Sequence, residues 1–142
     1  WIGGGARGLD AGLREIIATK GVLALMADQH PGKPETGGSL ALWGKVTVPY
    51  PARLLRFLAE RDFLFVPVST RLEADGGSTF LFHPAWDFRA DSADSKTSPA
   101  DLKTSPAGLE AALADRVRGF LEEAISAAPD QWNWSYPKIT PQ

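Results

Sequence analysis

The stretch GVLALMADQHPGKPETGGSLALWGKVTVPYPARLLRFLAERDFLFVPVSTR, residues 21–71, decides the fold of this chain. It opens on the apolar run 22–27, which lies between Gly21 and Asp28 and predicts a strand buried on both faces between helices. A polar pair, Asp28 and Gln29, follows where this strand gives way to a loop. Because α/β proteins place binding groups at such strand ends, Asp28 and Gln29 are candidate substrate-binding residues.

The middle of the stretch predicts a loop, two extended pieces and a helix. Residues 30–38 contain two prolines and three glycines, which exclude regular structure. Residues 40–43 and 45–48 are short extended pieces on either side of Gly44. Pro51 then opens a helix with an apolar stripe formed by Leu54, Leu55 and Leu58.

The end of the stretch predicts one strand of a hairpin. Residues 63–68 have high strand propensity, and the Glu-Ala-Asp-Gly-Gly sequence at 73–77 is typical of a turn. Residues 78–83 again favour a strand. We therefore expect the two strands to pair as an antiparallel hairpin.

Helices are predicted on both sides of this region. Before it, Leu9, Leu13, Ile16 and Ile17 share one helical face, Asp10 stands in the first turn, and Gly21 gives a stop signal. After the hairpin, residues 89–107 are predicted to form a flexible surface loop, in which KTSPADL (96–102) is followed by the near copy KTSPAGL (103–109). Ser105 and Pro106 begin the longest helix, which should end before Pro129.

The composition of the chain limits the classes of protein to which it can belong. At 142 residues and 44% hydrophobic content, the chain has the size of one globular domain. A net charge of -2 gives no reason to expect nucleic acid as a partner. The chain has no cysteine, which excludes disulfides, thiolate metal sites and a cysteine nucleophile. The first residue is Trp1, and no signal-peptide pattern follows it, so we interpret the chain as a single domain or a fragment of a longer one.

The predicted order of elements is helix, strand, short extended pieces, helix, hairpin and helix. That order predicts an α/β fold in which a partial mixed sheet is flanked by helices.

Six short motifs occur between residues 21 and 138. They are Ala27-Asp28-Gln29, Trp43-Gly44 with Thr47-Val48-Pro49, Ala52-Arg53-Leu54, Val66-Pro67-Val68 with Arg71, His83-Pro84, and Ala128-Pro129-Asp130-Gln131-Trp132-x-Trp134. In order and spacing they resemble the C-terminal half of the bacterial lipid A biosynthesis acyltransferases, the lauroyl/myristoyl branch of the lysophospholipid acyltransferase superfamily. The last motif is the most telling, because it resembles the family's Ala-Pro-Glu-Gln-Tyr/Trp-x-Trp signature.

The resemblance implies the C-terminal half of the glycerolipid/lysophospholipid acyltransferase fold. It also implies a function: transfer of a fatty acyl chain from an acyl thioester to a hydroxyl of a glycolipid or lysolipid at the membrane surface. The donor would be an acyl carrier protein or coenzyme A thioester, with no further cofactor and no metal. The implied location is the cytoplasmic face of the inner membrane, with a peripheral association or an anchor upstream of Trp1.

Three residues are carried over from the family as substrate-binding candidates. Asp28, together with Gln29, would hold the acceptor sugar or position an arginine. Arg71 follows the Val-Pro strand and could pair with an acceptor phosphate, for which its planar fork is suited. A salt bridge between Arg71 and Glu73 is the structural alternative.

The catalytic base is expected outside the chain. In the family, the histidine of a His-x-x-x-x-Asp/Glu motif upstream of the matched region deprotonates the acceptor hydroxyl. We interpret this motif as absent from the chain. The base should therefore come from residues before Trp1 or from a companion N-terminal half, and the chain alone should be inactive. Self-association is a further expectation, since a missing half would leave a sheet edge uncovered.

Other candidate sites have simpler explanations. His83 to Asp87 (HPAWD) imitates the His-x-x-x-Asp of condensation-type acyltransferases, but Phe88 replaces the expected glycine and a structural strand exit is favoured. His30 could be a general base, although a histidine in such a loop is more often only exposed. His30, Asp28 and Glu35 match no zinc spacing.

Two alternatives concern the tail and the class of function. Trp132, Trp134 and Tyr136 alternate, so they could stack on sugar or lipid, or fold back and seal the core, which is the favoured interpretation. The alternative to an acyltransferase part is a catalytically silent domain that binds a lipid or a partner protein.

Overall fold

The computed structural model describes residues 6–26, 38–61, 63–88, 106–132 and 140–141. These residues form a mixed α/β structure, which confirms the predicted class. The helices are α1 (Ala6–Thr19), α2 (Ala52–Ala59), α3 (Pro106–Ala127) and a 3-10 turn at Pro129–Gln131. The strands are β1 (Gly38–Leu42), β2 (Val46–Tyr50), β3 (Val68–Leu72), β4 (Ser78–Phe82) and β5 (Thr140–Pro141).

The strands form two separate sheets. One has the order β1-β2-β5, and the other is the β3-β4 hairpin. Every pairing between these strands is antiparallel. The expectation of one mixed sheet was therefore wrong for the described residues, because the predicted strand at 22–27 does not join it.

Residues 21–26 form no strand, which corrects the sequence prediction. Val22 is 93% exposed, and Leu25 and Met26 are exposed as well. Strand propensity alone does not make a strand, since each extended segment needs a neighbour to pair its backbone groups. None of the five described strands pairs with this segment. Residue 27 lies outside the described part of the chain.

The core lies between the three-stranded sheet and two helices. Helix α3 contributes a buried row at four-residue spacing: Leu113, Val117, Leu121 and Ile125. The row packs against β1, with Leu40 and Leu42, and against Leu55 of α2. An ion pair of 3.0 Å between Arg56 Nη1 and Glu110 Oε2 also joins α2 to α3. Burial, and next the Glu110 carboxylate, raise the pKa of the core residue Tyr50, so its hydroxyl stays neutral.

Most of the predicted start and stop signals lie at the ends of the observed helices. Pro51 stands at the N-cap of α2, as predicted, and α3 ends before Pro129. Helix α1 ends in a Schellman-type turn, in which Gly21 N–H donates to Ile16 C=O at 2.9 Å. The positive φ of that turn, 52°, falls on Lys20 rather than on the predicted stop Gly21.

The hairpin between β3 and β4 confirms the predicted pairing but not its limits. Strand β3 begins at Val68, where the predicted strand ended. Residues 63–67 pair with the other side of the hairpin through the isolated bridge between Phe65 and Trp86 and the hydrogen bond from His83 N–H to Pro67 C=O. The turn sets the register, since Glu73 N–H donates to Gly77 C=O and Gly76 takes a φ of 83°. Pairing therefore extends outward from the turn.

Several sequence predictions lie outside the described residues. Of the predicted loop 89–107, residues 106–107 belong to α3, and the remainder is not described. Trp134 and Tyr136 are also outside. Trp132 packs against the core, as the favoured interpretation of that residue predicted.

Candidate functional site

The first two predicted binding residues cannot be placed. Asp28 and Gln29 fall in residues 27–37, which lie outside the described residues, and so do His30 and Glu35. Their roles stay predictions.

Arg71 lies on β3, with its side chain half exposed and engaged by Glu73. The guanidinium Nη2 lies 3.1 Å from Glu73 Oε1, and Nε donates to the same oxygen at 3.1 Å. A hydrogen bond from Thr79, which stands opposite Arg71 in the register, and next that from Arg71 lower the pKa of Glu73. The structural alternative for Arg71 is thus present, and an anionic ligand would have to compete with Glu73.

Gln131 joins the tail motif to the end of β3. The amide N–H of Leu72 donates to Gln131 Oε1 at 2.7 Å, and Gln131 Nε2 donates to Leu72 C=O at 2.9 Å. The side chain therefore pairs with the backbone as a neighbouring strand would. As a result, two motifs that are about 60 residues apart in sequence meet beside Arg71.

Ser69 and His83 form a polar pair that the sequence analysis missed. Ser69 Oγ and His83 Nε2 are 2.9 Å apart, and both side chains are half-buried. His83 N–H donates to Pro67 C=O at 2.9 Å, and its ring stands edge-on to Phe120 of α3 at 5.1 Å. Such a pair could pass a proton from hydroxyl to imidazole. The same His83 also has a structural role, because its contact with Pro67 joins the two sides of the hairpin and its contact with Phe120 packs the hairpin on α3. Only the strand register reveals this neighbour, since the two residues are 14 positions apart.

The β1-β2 turn presents an aromatic side chain and a cation. Trp43 and Gly44 have φ values of 48° and 64°, the signs found in a type I′ turn. The positive φ of Trp43 is unfavourable for any residue with a Cβ. The Trp43 side chain is 40% exposed, and Lys45, two residues further on, is exposed as well. The backbone N–H of Trp43 donates to Glu122 of α3 at 2.5 Å, which holds the turn in place.

The β3-β4 hairpin has one packed and one exposed face. Its exposed face, which we call the hairpin face, carries alternate residues of the two strands and of the segment before them. Its apolar members are between 40% and 74% exposed: Leu64, Val66, Val68, Leu72, Phe80 and Phe82. The opposite face packs towards α3 through Phe65, Trp86 and His83.

Comparisons with known proteins leave the family open. A scan against protein-family models finds no match, and searches of the curated proteins and of the solved structures find no significant match. Among the described residues, no helix is both long and apolar enough to span a membrane. In the same residues no cluster of three or more histidine, aspartate or glutamate side chains could hold a metal ion.

One sequence signal was overlooked. The prediction that the family's His-x-x-x-x-Asp/Glu spacing is absent from this chain was wrong, because the spacing occurs at His30 and Glu35 in HPGKPE. Both residues follow the Asp28 position and lie outside the described residues. His30 is therefore the internal candidate against which an upstream base must be tested.

Proposed function

We propose that this chain is the acceptor-side part of an acyltransferase that moves a fatty acyl chain from an acyl thioester to a hydroxyl of a glycolipid or lysolipid. The observation that carries the proposal is the bidentate contact between Gln131 and Leu72. It brings the Ala-Pro-Asp-Gln-Trp motif against the strand that carries Arg71, and these are two of the segments on which the family resemblance depends.

In this proposal the chain binds and orients the acceptor. Arg71 pairs with an acceptor phosphate, and Asp28 and Gln29 hold the acceptor sugar. A histidine from upstream residues, or from a companion N-terminal half, takes the hydroxyl proton. The hydroxyl oxygen then attacks the thioester carbonyl and the C–S bond breaks. The sulfur of acyl carrier protein or coenzyme A leaves as a thiol, with the proton returned by the histidine.

The β1-β2 turn supports a membrane surface as the place of reaction. An exposed tryptophan beside a lysine is a combination found at the interface between lipid and water. Trp43 and Lys45 meet that description at a turn anchored by Glu122. The family resemblance implies the cytoplasmic face of the inner membrane, and we propose that location for this protein.

The activity test compares the 142-residue chain with a longer polypeptide that includes residues before Trp1. With an acyl carrier protein or coenzyme A thioester and a lysolipid or lipid A precursor, we expect transfer only by the longer polypeptide. In that polypeptide Arg71→Ala should raise the KM for the acceptor. Arg118→Ala, which removes an arginine of α3 that is likewise paired with an exposed carboxylate, is the matched control and should leave KM unchanged.

Two results would contradict parts of the proposal. Turnover by the chain alone that is lost in His30→Ala or His83→Ala would place the base inside this chain. No transfer by either polypeptide, with lipid binding retained, would support the alternative of a catalytically silent lipid-binding or partner-binding domain.

A further inference from the structure

Within the described part of the chain, the outer edge of β4 has no pairing partner. In the hairpin, residues 67 and 83 and residues 73 and 77 are hydrogen-bonded pairs, so the pairs 69/81 and 71/79 between them are also of this type. The N–H and C=O groups of Ser78, Phe80 and Phe82 therefore point away from β3. No described residue pairs with them.

Strand β4 itself has none of the features that normally protect an edge, and no element among residues 6–26, 38–61, 63–88, 106–132 and 140–141 pairs with that edge. Its sequence, STFLF, contains no charge and no proline, and its pairing with β3 contains no bulge. Strand β3 differs, because Gln131 covers the outward groups of Leu72. An open, uncharged edge of five residues is a template for another strand.

A polypeptide fits this edge better than a lipid does. The hairpin face is apolar, but the unpaired groups of β4 lie directly beside it, and hydrocarbon offers them no hydrogen bond. A partner strand satisfies those groups and also extends the apolar surface of Phe80 and Phe82. The partner must therefore bring backbone donors and acceptors together with apolar side chains.

We propose that β4 pairs with β4 of a second copy of this chain in an antiparallel, two-fold arrangement centred on Phe80. In this register Phe80 faces Phe80 of the other copy, and Ser78 faces Phe82 in both directions, which forms six backbone hydrogen bonds. The strand carries no charge that would meet its own copy. The aromatic pair at the two-fold axis adds to the stability of the contact.

The test is the oligomeric state in solution of the wild type and of charged variants at position 80. Sedimentation velocity over a concentration series should show a monomer-dimer equilibrium for the wild type. Phe80→Lys places two ammonium groups opposite each other and should weaken the dimer by about tenfold or more. Phe80→Asp should do the same. An equimolar mixture of the two variants should restore dimerisation, because opposite charges then meet.

Thr70→Lys is the matched control. Thr70 stands directly opposite Phe80 in the hairpin and on the same face, but in the dimer the two Thr70 residues are three strand spacings apart, about 14 Å. It adds the same charge and should leave the dimer nearly unchanged. Circular dichroism should show native folding for all variants, since Phe80 is 62% exposed in the monomer.

Four outcomes would overturn the proposal. They are a wild type that stays monomeric over the series, equal weakening by Thr70→Lys and Phe80→Lys, a mixture of Phe80→Lys and Phe80→Asp that does not associate, and growth beyond a dimer. A monomer that binds anionic vesicles through Phe80 would assign the edge to a lipid surface instead.

Discussion

Arg71 and Glu73 show how one residue pair can decide whether a predicted binding residue is available. The pair is exposed, so it contributes little to stability. Its importance is local, because Glu73 occupies the donors with which Arg71 would bind an anion. The lowered pKa of Glu73 keeps its carboxylate charged at neutral pH and therefore in competition.

We expect Glu73→Gln to raise the affinity of Arg71 for sulfate, because the competing charge is removed. The gain should be about two- to fivefold, as for an exposed ion pair. It can be measured by NMR titration of the Arg71 Nε–H signal. Asp115→Asn is the control, since it frees Arg118 from another exposed ion pair and should leave Arg71 unaffected.

We expect the difference in sulfate binding between the wild type and Glu73→Gln to disappear at acidic pH. The pKa of Glu73 in the folded protein is below its ordinary value of 4.5, so the pair is complete above that value. It is lost as the pH falls through the lower, folded pKa. Sulfate binding by the wild type should then approach that of Glu73→Gln, and an unchanged difference at acidic pH would contradict the assigned competition.

Trp43 offers a second test at this scale, because its backbone conformation is unfavourable. Asparagine tolerates positive φ better than tryptophan does, so Trp43→Asn should stabilise the fold by about 1 kcal/mol in thermal unfolding. The same variant should bind anionic vesicles less well in sedimentation assays. Trp43→Phe keeps the strain and the aromatic ring, and should change neither property much. Vesicle binding by Trp43→Asn equal to the wild type would exclude a membrane role for Trp43.

Among the elements, α3 and the β3-β4 hairpin differ sharply in how their apolar side chains are used. The apolar row of α3 is buried at every turn, whereas one complete face of the hairpin is exposed. The packed hairpin face contacts the helix where His83 and Trp86 stand edge-on to Phe120. The stability of the monomer should therefore depend on α3 far more than on the exposed hairpin face.

The same substitution at two leucines tests this difference. Leu113→Ala removes a side chain that is 1% exposed and should cost about 2–5 kcal/mol of unfolding free energy. Leu72→Ala removes one that is 57% exposed and should stay within about 0.5 kcal/mol. Urea unfolding at low protein concentration measures both. Similar losses at the two sites would mean that the hairpin face is covered in the monomer.

Across the whole molecule, sequence patterns located most elements but not their partners. The leucine spacing of α2, the proline at its start and the Ser-Pro pair at 105–106 before α3 were sufficient to predict both helices. The run at 22–27 was assigned to a strand because apolar, strand-favouring residues usually pair. In the structure, no described strand lies beside residues 21–26.

The candidate site shows the same division. Arg71 could be named from its place after the Val-Pro strand, but its partner Glu73, its neighbour Thr79 and the contact of Gln131 with Leu72 required the folded chain. The Ser69-His83 pair depends on the register of two strands, which the turn at 73–77 sets. The roles of Asp28 and Gln29 remain predictions from the sequence.

Helix periodicity, caps and turns depend on residues within a few positions of one another, so the amino-acid order alone was enough to predict the two long helices, the hairpin turn and the α/β class. Which strand edges are covered, which apolar face meets solvent and which polar groups touch across the sheet depend on long-range packing. The folded chain decided these features, because a backbone edge or an apolar face is satisfied only by a neighbour that local sequence does not specify.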